Sequence, residues 1–284
     1  MKTKNPRFII IIPFYNAREY IKECIDSVFL QTYTNWIVVC TDDNSDDGSS
    51  DLIPDDPRII KRNGGQRRRQ LANIYEAIVH SGVEYDEDDV ICTLDGDDRL
   101  LEPFSLEIVA EIYRGKPNCL LTYGQYVTSS GKPGHCKPYI RNEFDLLREK
   151  SFRASHFRTF KWKLYREFLR QDPEVLSYKD DKGDFFLMAA DLAIMFPLME
   201  IAGYPNIIFN ETPIYWYRLH ERNEHVVDRP LQQRTDKEIH RKPRFRAAFL
   251  PFHYRIYPNG LYLIRRIFRH IKWALLKPMD KNHQ

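Results

Sequence analysis

Three short, predominantly apolar segments constrain the fold of this chain more than any other feature. They are Phe8–Ile12, Trp36–Cys40 and Val90–Leu94. Strands of parallel sheets are buried on both faces and have this composition. Apolar residues at helical spacing occupy the intervals, at residues 17–31 and 70–81. The alternation predicts an α/β fold with a mostly parallel, Rossmann-type sheet flanked by helices.

Each of these predicted strands ends in polar or acidic residues. The first is followed by Pro13-Phe14-Tyr15-Asn16, the second by Asp42-Asp43 and the third by Asp95-Gly96-Asp97-Asp98. Ligands of open α/β sheets bind beyond the carboxyl ends of the strands. Carboxylate oxygens suit Mg²⁺ or Mn²⁺, and these ions in turn bind substrate phosphates. The pattern predicts a metal-assisted site, although an isolated acidic turn of this kind is more often simply solvated.

The ordered motifs of the first hundred residues resemble the inverting family-2 glycosyltransferases of the GT-A fold. The matching segments are Ile12-Pro13-Phe14-Tyr15-Asn16, Cys24-Ile25-Asp26-Ser27-Val28, Gln31-Thr32-Tyr33, Asp42-Asp43-Asn44-Ser45-Asp46-Asp47-Gly48-Ser49, Asn63-Gly64-Gly65 and Asp95-Gly96-Asp97-Asp98. The resemblance implies a GT-A-like fold and transfer of a sugar from a nucleotide-sugar donor.

The resemblance also implies roles for individual residues. The implied donor contacts all lie at or just after a strand end: Pro13, Phe14, Tyr15, Asp42, Asp43, Asp95 and Gly96. Asp97 and Asp98 would hold the Mn²⁺ or Mg²⁺ ion that bridges the diphosphate. His220, in a segment like the family's closing segment, would add a metal ligand, and a surface turn is the alternative.

One departure from the family concerns an arginine. The family often has Ala-Arg-Asn where this chain has Leu71-Ala72-Asn73. Arg67, Arg68 or Arg69 would supply the missing charge one turn earlier, and we take Arg68 as the donor contact. The alternative is that these arginines are the solvated start of a helix.

The second half of the chain is expected to bind the acceptor. Inverting transfer needs a base that accepts the proton of the acceptor hydroxyl. The resemblance implies an acidic residue at a helix start, and Asp191 fits that place within a helix predicted over Phe185–Ile201. The alternatives Asp180, Asp181 and Asp184 lie in a stretch rich in Lys and Gly. Pro197 is expected to break or kink this helix.

A second distinctive segment, Ser155-His156-Phe157-Arg158-Thr159-Phe160, is similar to one in some bacterial members of the family. We assign His156 and Arg158 to the acceptor pocket, with the donor pocket as an alternative. An ordinary loop with a capping histidine would also account for the segment.

The charge of the chain is distributed unevenly. The net charge is +3, but the residues from Arg229 onward contain 14 Lys and Arg against 3 Asp and Glu. Residues 261–276 have apolar and basic faces at helical spacing, which is typical of helices on anionic membrane surfaces. Docking on the protein itself is the alternative. Nucleic-acid binding is not expected, because the aromatic residues form no stacking platform.

These observations predict three parts: a nucleotide-sugar-binding half at 1–100, an acceptor-binding half at 101–228 and a basic C-terminal helical extension at 229–284. No run approaches the roughly 20 apolar residues of a membrane span. We therefore expect a cytoplasmic protein, with a peripheral membrane position as the alternative. The five cysteines form no CxxC pair, which favours free thiols.

The expected activity is inverting transfer of a hexose-type sugar, from a UDP-sugar to a saccharide or lipid-linked glycan. One rival is a nucleotidyltransferase acting on sugar phosphates. It would need a glycine-rich basic loop after the first strand, which Pro13–Asn16 does not provide. The other rival is a non-catalytic scaffold with the GT-A fold.

Overall fold

The computed structural model describes residues 5–221 and 228–250. Its strands are β1 (Phe8–Phe14), β2 (Trp36–Asp42), β3 (Ile59–Asn63), β4 (Val90–Thr93), β5 (Arg99–Leu100), β6 (Leu121–Thr128), β7 (Arg158–Lys161) and β8 (Ile207–Tyr217). Its helices are α1 (Ile21–Phe29), α2 (Arg69–His80), α3 (Ser105–Gly115), α4 (Arg141–Phe144), α5 (Trp162–Gln171), α6 (Ala190–Ala202) and α7 (Arg229–Arg241). All of these elements belong to the compact unit that ends at Ala248.

The strands form one sheet in the order β3-β2-β1-β4-β7-β6-β8-β5. Four of the seven strand pairs in the described ranges are parallel, including β1 with both β2 and β4. Phe8 lies opposite Trp36 on one side and Val90 on the other. The α/β fold is therefore confirmed, and each of the three apolar strands has a neighbouring strand on both sides. The predicted parts 1–100 and 101–228 contribute strands to the same sheet.

Helices cover both faces of this sheet. Alternate residues of β1, including Phe8, Ile10 and Ile12, share a core cluster with the buried residues of α1 and α3. Ile9 and Ile11 are also completely buried, and α2 contacts both β1 and β2. Burial on both faces explains why β1 is apolar without alternation.

Strand β7 is an element that the apolar pattern does not reveal. It lies in the interior of the sheet, antiparallel to both β4 and β6. Three of its four residues, Arg158, Thr159 and Lys161, are polar yet buried. Arg158 Nε donates to Thr93 Oγ1 at 3.0 Å, and Lys161 Nζ bonds Asp88 Oδ1 at 3.0 Å. These partners let polar residues occupy the centre of a sheet.

Helix α6 differs from its prediction in two respects. It begins at Ala190 rather than near 185, after Ala189 adopts a left-handed φ of 57°. It also continues through Pro197 to Ala202, so the predicted break at Pro197 is wrong. The helix is buried on nearly all sides, and tertiary packing compensates for the hydrogen bond that proline cannot donate. Gly203 ends the helix, and its N–H donates to Met199 O at 2.9 Å.

The start of the predicted basic extension forms helix α7, which contacts α6. Asp228 caps it by accepting from Leu231 N at 2.9 Å. The helix predicted over 261–276 lies outside the described residues. No helix in the described ranges combines the length and hydrophobicity that crossing a bilayer requires.

Candidate active site

A cavity of about 970 Å³ opens at the carboxyl ends of β1, β2 and β4. Most of the residues singled out by sequence line it: Pro13, Phe14, Tyr15, Asp43, Asp95, Gly96, Asp97, His156, Arg158, Asp191 and His220. Parallel strands end at one sheet edge, and β7 runs the other way beside β4. The fold therefore brings residues more than a hundred positions apart into one site.

The end of β1 is tied to both neighbouring strand ends. Asp43 N donates to Phe14 O at 2.9 Å, and Gly96 N donates to Pro13 O at 3.1 Å. A Cβ atom at Gly96 would lie 2.6 Å from the Cβ of Phe14. Only glycine allows the acidic turn to approach β1 this closely.

Asp43 holds the start of α2 against the cavity. Its carboxylate accepts from Arg68 N at 2.5 Å, from Arg69 N at 3.1 Å and from Asn73 Nδ2 at 2.7 Å. The Arg67 guanidinium lies 3.7 Å from the centre of the Tyr15 ring. An aromatic face and a cation thus lie together beside the predicted base-binding residues.

Two predicted donor contacts lie apart from the cavity lining. Asp42 is buried, and its carboxylate accepts hydrogen bonds from Ser45 N at 2.8 Å and Asn63 Nδ2 at 3.3 Å. The Arg68 side chain instead forms an ion pair with Glu76 at 3.5 Å. The arginines that line the cavity are its neighbours Arg67 and Arg69. Side chains of adjacent residues project in different directions. The sequence alone therefore does not show which of the three arginines faces the cavity.

The acidic turn after β4 contains three carboxylates in different environments. Asp95 Oδ1 accepts from Gln70 Nε2 at 2.7 Å and lies 3.8 Å from Arg158 Nη2. Burial raises the pKa of Asp95 to about 6, and the nearby Asp97 and Asp191 add to this, while Arg158 opposes it. Several negative charges therefore share a cavity in which a cation would relieve their repulsion.

Asp97 and Asp98 point to different partners. Asp97 Oδ2 lies 2.9 Å from His220 Nε2, the pair that the sequence assigned to a metal. Asp98 is buried and does not line the cavity. It accepts from the Tyr215 hydroxyl at 2.6 Å and from Arg218 N at 2.7 Å. Burial and the neighbouring Asp97 raise the pKa of Asp98 well above its ordinary value.

His156 is a buried imidazole at the wall of the cavity. Its ring stacks on Tyr215 with a centroid distance of 4.5 Å. Burial lowers the pKa of His156 well below its usual value, and the positive charge of Arg158 lowers it further. The imidazole is therefore neutral at physiological pH, which is the form that binds metal ions.

Arg158 lies between the donor side and the candidate base. Its Nη2 is 3.8 Å from Asp95 Oδ1, and its Nη1 is 4.0 Å from Asp191 Oδ2. Asp191 occupies the first turn of α6, where a helix favours negative charge, and its Oδ1 accepts from Leu192 N at 2.9 Å. The two carboxylates thus face each other across one guanidinium.

The model of one known protein family matches this chain. Residues 9–172 match the model of glycosyl transferase family 2, and this range covers more than half of the chain. The chain belongs to glycosyl transferase family 2. The resemblance drawn from the strand-end motifs is thereby confirmed.

Relatives with known names align with the chain over only part of their own length. A putative teichuronic acid biosynthesis glycosyltransferase, TuaG of Bacillus subtilis strain 168, is 36% identical over 62 residues. This alignment covers 22% of the chain and 25% of TuaG. The chain thus spans about a quarter of that relative's length.

Solved structures support the GT-A-like fold. Residues 1–349 of Staphylococcus aureus TarS, in complex with UDP-GlcNAc, superpose with a TM-score of 0.52 at 14% identity, covering 78% of this chain and 61% of that one. The mannosyltransferase PcManGT of Pyrobaculum calidifontis, in complex with GDP-Man and Mn²⁺, gives 0.51 at 19% identity, covering 79% and 60%. At these identities the likeness shows the shared fold.

The structure adds cavity residues that the family 2 motifs do not include. The added residues come from α2, from β6 and the segment after it, and from α7: Gln70, Tyr126, Thr128, His135 and Gln232. Gln232 lies well beyond the family 2 match, which ends at residue 172. None of these residues stands in a strand-end motif, so tertiary structure was needed to find them.

Proposed function

We propose that this chain transfers a hexose-type sugar from a UDP-sugar to a saccharide or lipid-linked glycan, with inversion at the anomeric carbon and with a divalent metal ion. One observation carries the proposal. A single cavity joins the strand-end residues expected to bind a donor with Asp191, the candidate base. A nucleotide site and a proton acceptor are the two parts that such a transfer requires.

The donor half of the proposal rests on the strand ends. Tyr15 presents a ring for the base, and the carboxylates of Asp43 and Asp95 are available to accept from the base, ribose or sugar. Arg67 and Arg69 supply positive charge toward the diphosphate. TarS and PcManGT, which share the fold, have been solved in complex with UDP-GlcNAc and GDP-Man, and this supports a nucleotide-sugar donor for the chain.

The residues of the cavity fit a divalent metal ion. Asp97 Oδ2 and His220 Nε2 lie 2.9 Å apart, and the buried Nδ1 of His156 has no hydrogen-bond partner within the described residues. Of the three ligands expected from the sequence, Asp97 and His220 line the cavity, whereas Asp98 does not. When bound, Mn²⁺ or Mg²⁺ would neutralise the negative charge that develops on the diphosphate.

The acceptor half of the proposal rests on Asp191. The acceptor hydroxyl oxygen would form a bond to the anomeric carbon as the bond to the diphosphate breaks. Asp191 would take the hydroxyl proton, and the nucleoside diphosphate would leave from the opposite face. Arg158 lies 4.0 Å from this carboxylate and helps to hold it toward the cavity.

Thermal-shift screening tests this proposal. We would compare UDP-glucose, UDP-GlcNAc and GDP-mannose, each with and without Mn²⁺. A donor at 100 times its Kd adds about 2.7 kcal/mol of stability, which corresponds to roughly 5–10 °C in Tm. We expect a UDP-sugar to reach this shift only when Mn²⁺ is present.

Asp97→Asn is the matched variant in the same screen. It should lose the Mn²⁺-dependent shift, because an amide oxygen is a weaker ligand than a carboxylate. A shift with GDP-mannose alone would contradict the choice of UDP. No shift with any nucleotide-sugar would contradict the proposed function itself.

A further inference from the structure

Helix α7 places one polar side chain in the cavity that holds the candidate base. Gln232, near the start of α7, lines the same cavity as Asp191. The family 2 match ends at residue 172, so α7 lies outside it. This contact with the cavity therefore comes from a part of the chain to which the family motifs assign no role.

Packing against α6 fixes the position of Gln232. Gln232, Thr235, Asp236 and Ile239 recur at helical spacing and share one face of α7. Thr235 and Ile239 on this face are buried, and α7 contacts α6, whose first turn contains Asp191. The helix that holds the candidate base thus also supports the helix that holds Gln232.

The carboxylate of Asp236 orients the amide of Gln232. Asp236 Oδ1 accepts from Gln232 Nε2 at 3.1 Å. An ionised carboxylate only accepts hydrogen bonds, so the amide nitrogen rather than the carbonyl oxygen faces Asp236. Within residues 5–221 and 228–250, Gln232 Oε1 accepts no hydrogen bond. The amide therefore retains one N–H donor and one carbonyl acceptor for a ligand.

Carboxylates outnumber cations around the candidate base. Burial raises the pKa of Asp236, and the nearby charge of Asp191 raises it further. The guanidinium beside Asp191 belongs to Arg158, which also lies 3.8 Å from Asp95. Three carboxylates thus share one guanidinium, so an anionic ligand would be repelled here, whereas a neutral ligand would not.

We infer that Gln232, oriented by Asp236, forms a subsite for neighbouring hydroxyl groups of a neutral acceptor saccharide, and that this subsite disfavours anionic acceptors. A sugar hydroxyl both donates and accepts, so two neighbouring hydroxyls match the N–H and the carbonyl of the amide. A further hydroxyl of the same sugar can then face Asp191. The inference deepens the proposed function, on which it rests for the role of Asp191 as the base.

Saturation-transfer difference NMR of methyl glycosides tests this subsite. The neutral probes are the methyl glycosides of glucose, galactose, mannose and N-acetylglucosamine. The anionic probes are the matched glucuronide and galacturonide, which have a carboxylate on the same ring. Each probe is titrated into the full chain at slightly alkaline pH, with and without UDP and Mn²⁺. We expect a neutral glycoside to bind more tightly than its matched uronide.

Gln232→Leu removes both hydrogen-bonding groups of the amide and keeps a side chain of similar size. We expect the Kd of the bound neutral glycoside to rise by about 2- to 12-fold, which corresponds to the loss of a typical hydrogen bond. Gln233→Leu is the matched control on the same helix. Gln233 is exposed and does not line the cavity, so its substitution should leave the Kd unchanged.

Asp236→Asn tests the charge of the subsite. The side-chain oxygen of asparagine can still accept from Gln232, but the negative charge is removed. We expect the Kd of the uronides to fall by at least about twofold, with little change in the Kd of the neutral glycosides. A purely structural role of Asp236 would instead change the binding of both classes of glycoside alike.

Any of five outcomes would overturn the inference. They are no binding of a neutral glycoside by the wild type, equal or tighter binding of the uronides, an unchanged Kd in Gln232→Leu, the same rise in Gln233→Leu, or an equal effect of Asp236→Asn on both classes. Failure of the proposed function is distinguishable. In that case neutral glycosides would bind through Gln232, yet no nucleotide-sugar would shift the Tm.

Discussion

At the scale of single residues, the site is organised around one arginine that lies close to two carboxylates. Arg158 lies within 4.0 Å of both Asp95 and Asp191, and its own position is set by Thr93. A buried guanidinium of this kind is costly unless it is paired. The two carboxylates satisfy that requirement, and both line the cavity.

Asp191→Asn should slow sugar transfer without weakening the binding of the donor. The amide keeps the shape of the side chain and cannot accept the acceptor proton, so we expect transfer to slow by about 10²–10⁴-fold. The Tm shift given by donor and Mn²⁺ should remain. Release of nucleoside diphosphate from the donor chosen by the thermal-shift screen would measure the rate. Asp184→Asn, in the exposed loop before α6, is the control and should keep full activity. If Asp191→Asn transferred sugar at the wild-type rate, another group would be the base.

At the scale of elements, the contact between β1 and the acidic turn determines the shape of the donor site. Gly96→Ala would place a Cβ 2.6 Å from that of Phe14. We expect a loss of about 1–3 kcal/mol in the free energy of unfolding, measured by urea titration, together with a smaller Mn²⁺-dependent donor shift.

Gly115→Ala is the matched control for this substitution. Gly115 ends α3, and an added Cβ there would have no neighbour within 4 Å. The change should be neutral or stabilise the protein by about 0.4–1 kcal/mol. Equal destabilisation by both variants would show that close approach at Gly96 is not the reason for its glycine.

Arg148, which belongs to neither helix, links α6 and α7 through a buried ion pair with α6 and a hydrogen bond to α7. Arg148 bonds Glu200 through Nε at 2.7 Å and Nη2 at 2.9 Å, and its Nη1 donates to Ile239 O at 2.7 Å. Arg148→Ala would remove the bidentate partner of the buried Glu200 carboxylate, so we expect a loss of about 3–5 kcal/mol in urea unfolding. Arg170→Ala breaks the exposed pair with Glu167 and should cost about 0–1 kcal/mol. Similar costs for the two variants would contradict the structural role of the buried pair.

At the scale of the whole molecule, the five cysteines are all free and buried. Burial raises the pKa of Cys40 and of Cys119 to about 12, which removes the reactive thiolate. We expect the native protein to react with less than about one equivalent of a thiol reagent, and the unfolded protein with all five. The Tm should be unchanged by reductant. A Tm that falls with reductant would reveal a disulfide instead.

The basic segment 261–276 remains a prediction at the same scale. Its Arg and Lys residues should bind the protein to vesicles containing phosphatidylglycerol, and binding should weaken as salt screens the charges. Co-sedimentation with these vesicles and with phosphatidylcholine vesicles would measure this. The triple variant Arg265→Glu, Arg266→Glu, Arg269→Glu should lose binding. Equal binding to neutral vesicles would contradict an electrostatic membrane contact.

The sequence by itself determined the α/β class, the three apolar strands and the family. These follow from local pattern, because a strand buried on both faces must be apolar and because the motifs stand directly after such strands. Asp97, His156, Arg158 and Asp191 were also named from local motifs.

Only the tertiary structure decided which of these residues meet. The placement of β7 beside β4 brings His156 to Asp95, and no local pattern encodes that pairing because β7 consists largely of buried polar residues. Packing likewise carries α6 through Pro197 and turns Arg67 and Arg69, rather than Arg68, toward the cavity. Side-chain direction and strand order depend on contacts between distant parts of the chain, and the pattern of one segment does not contain them.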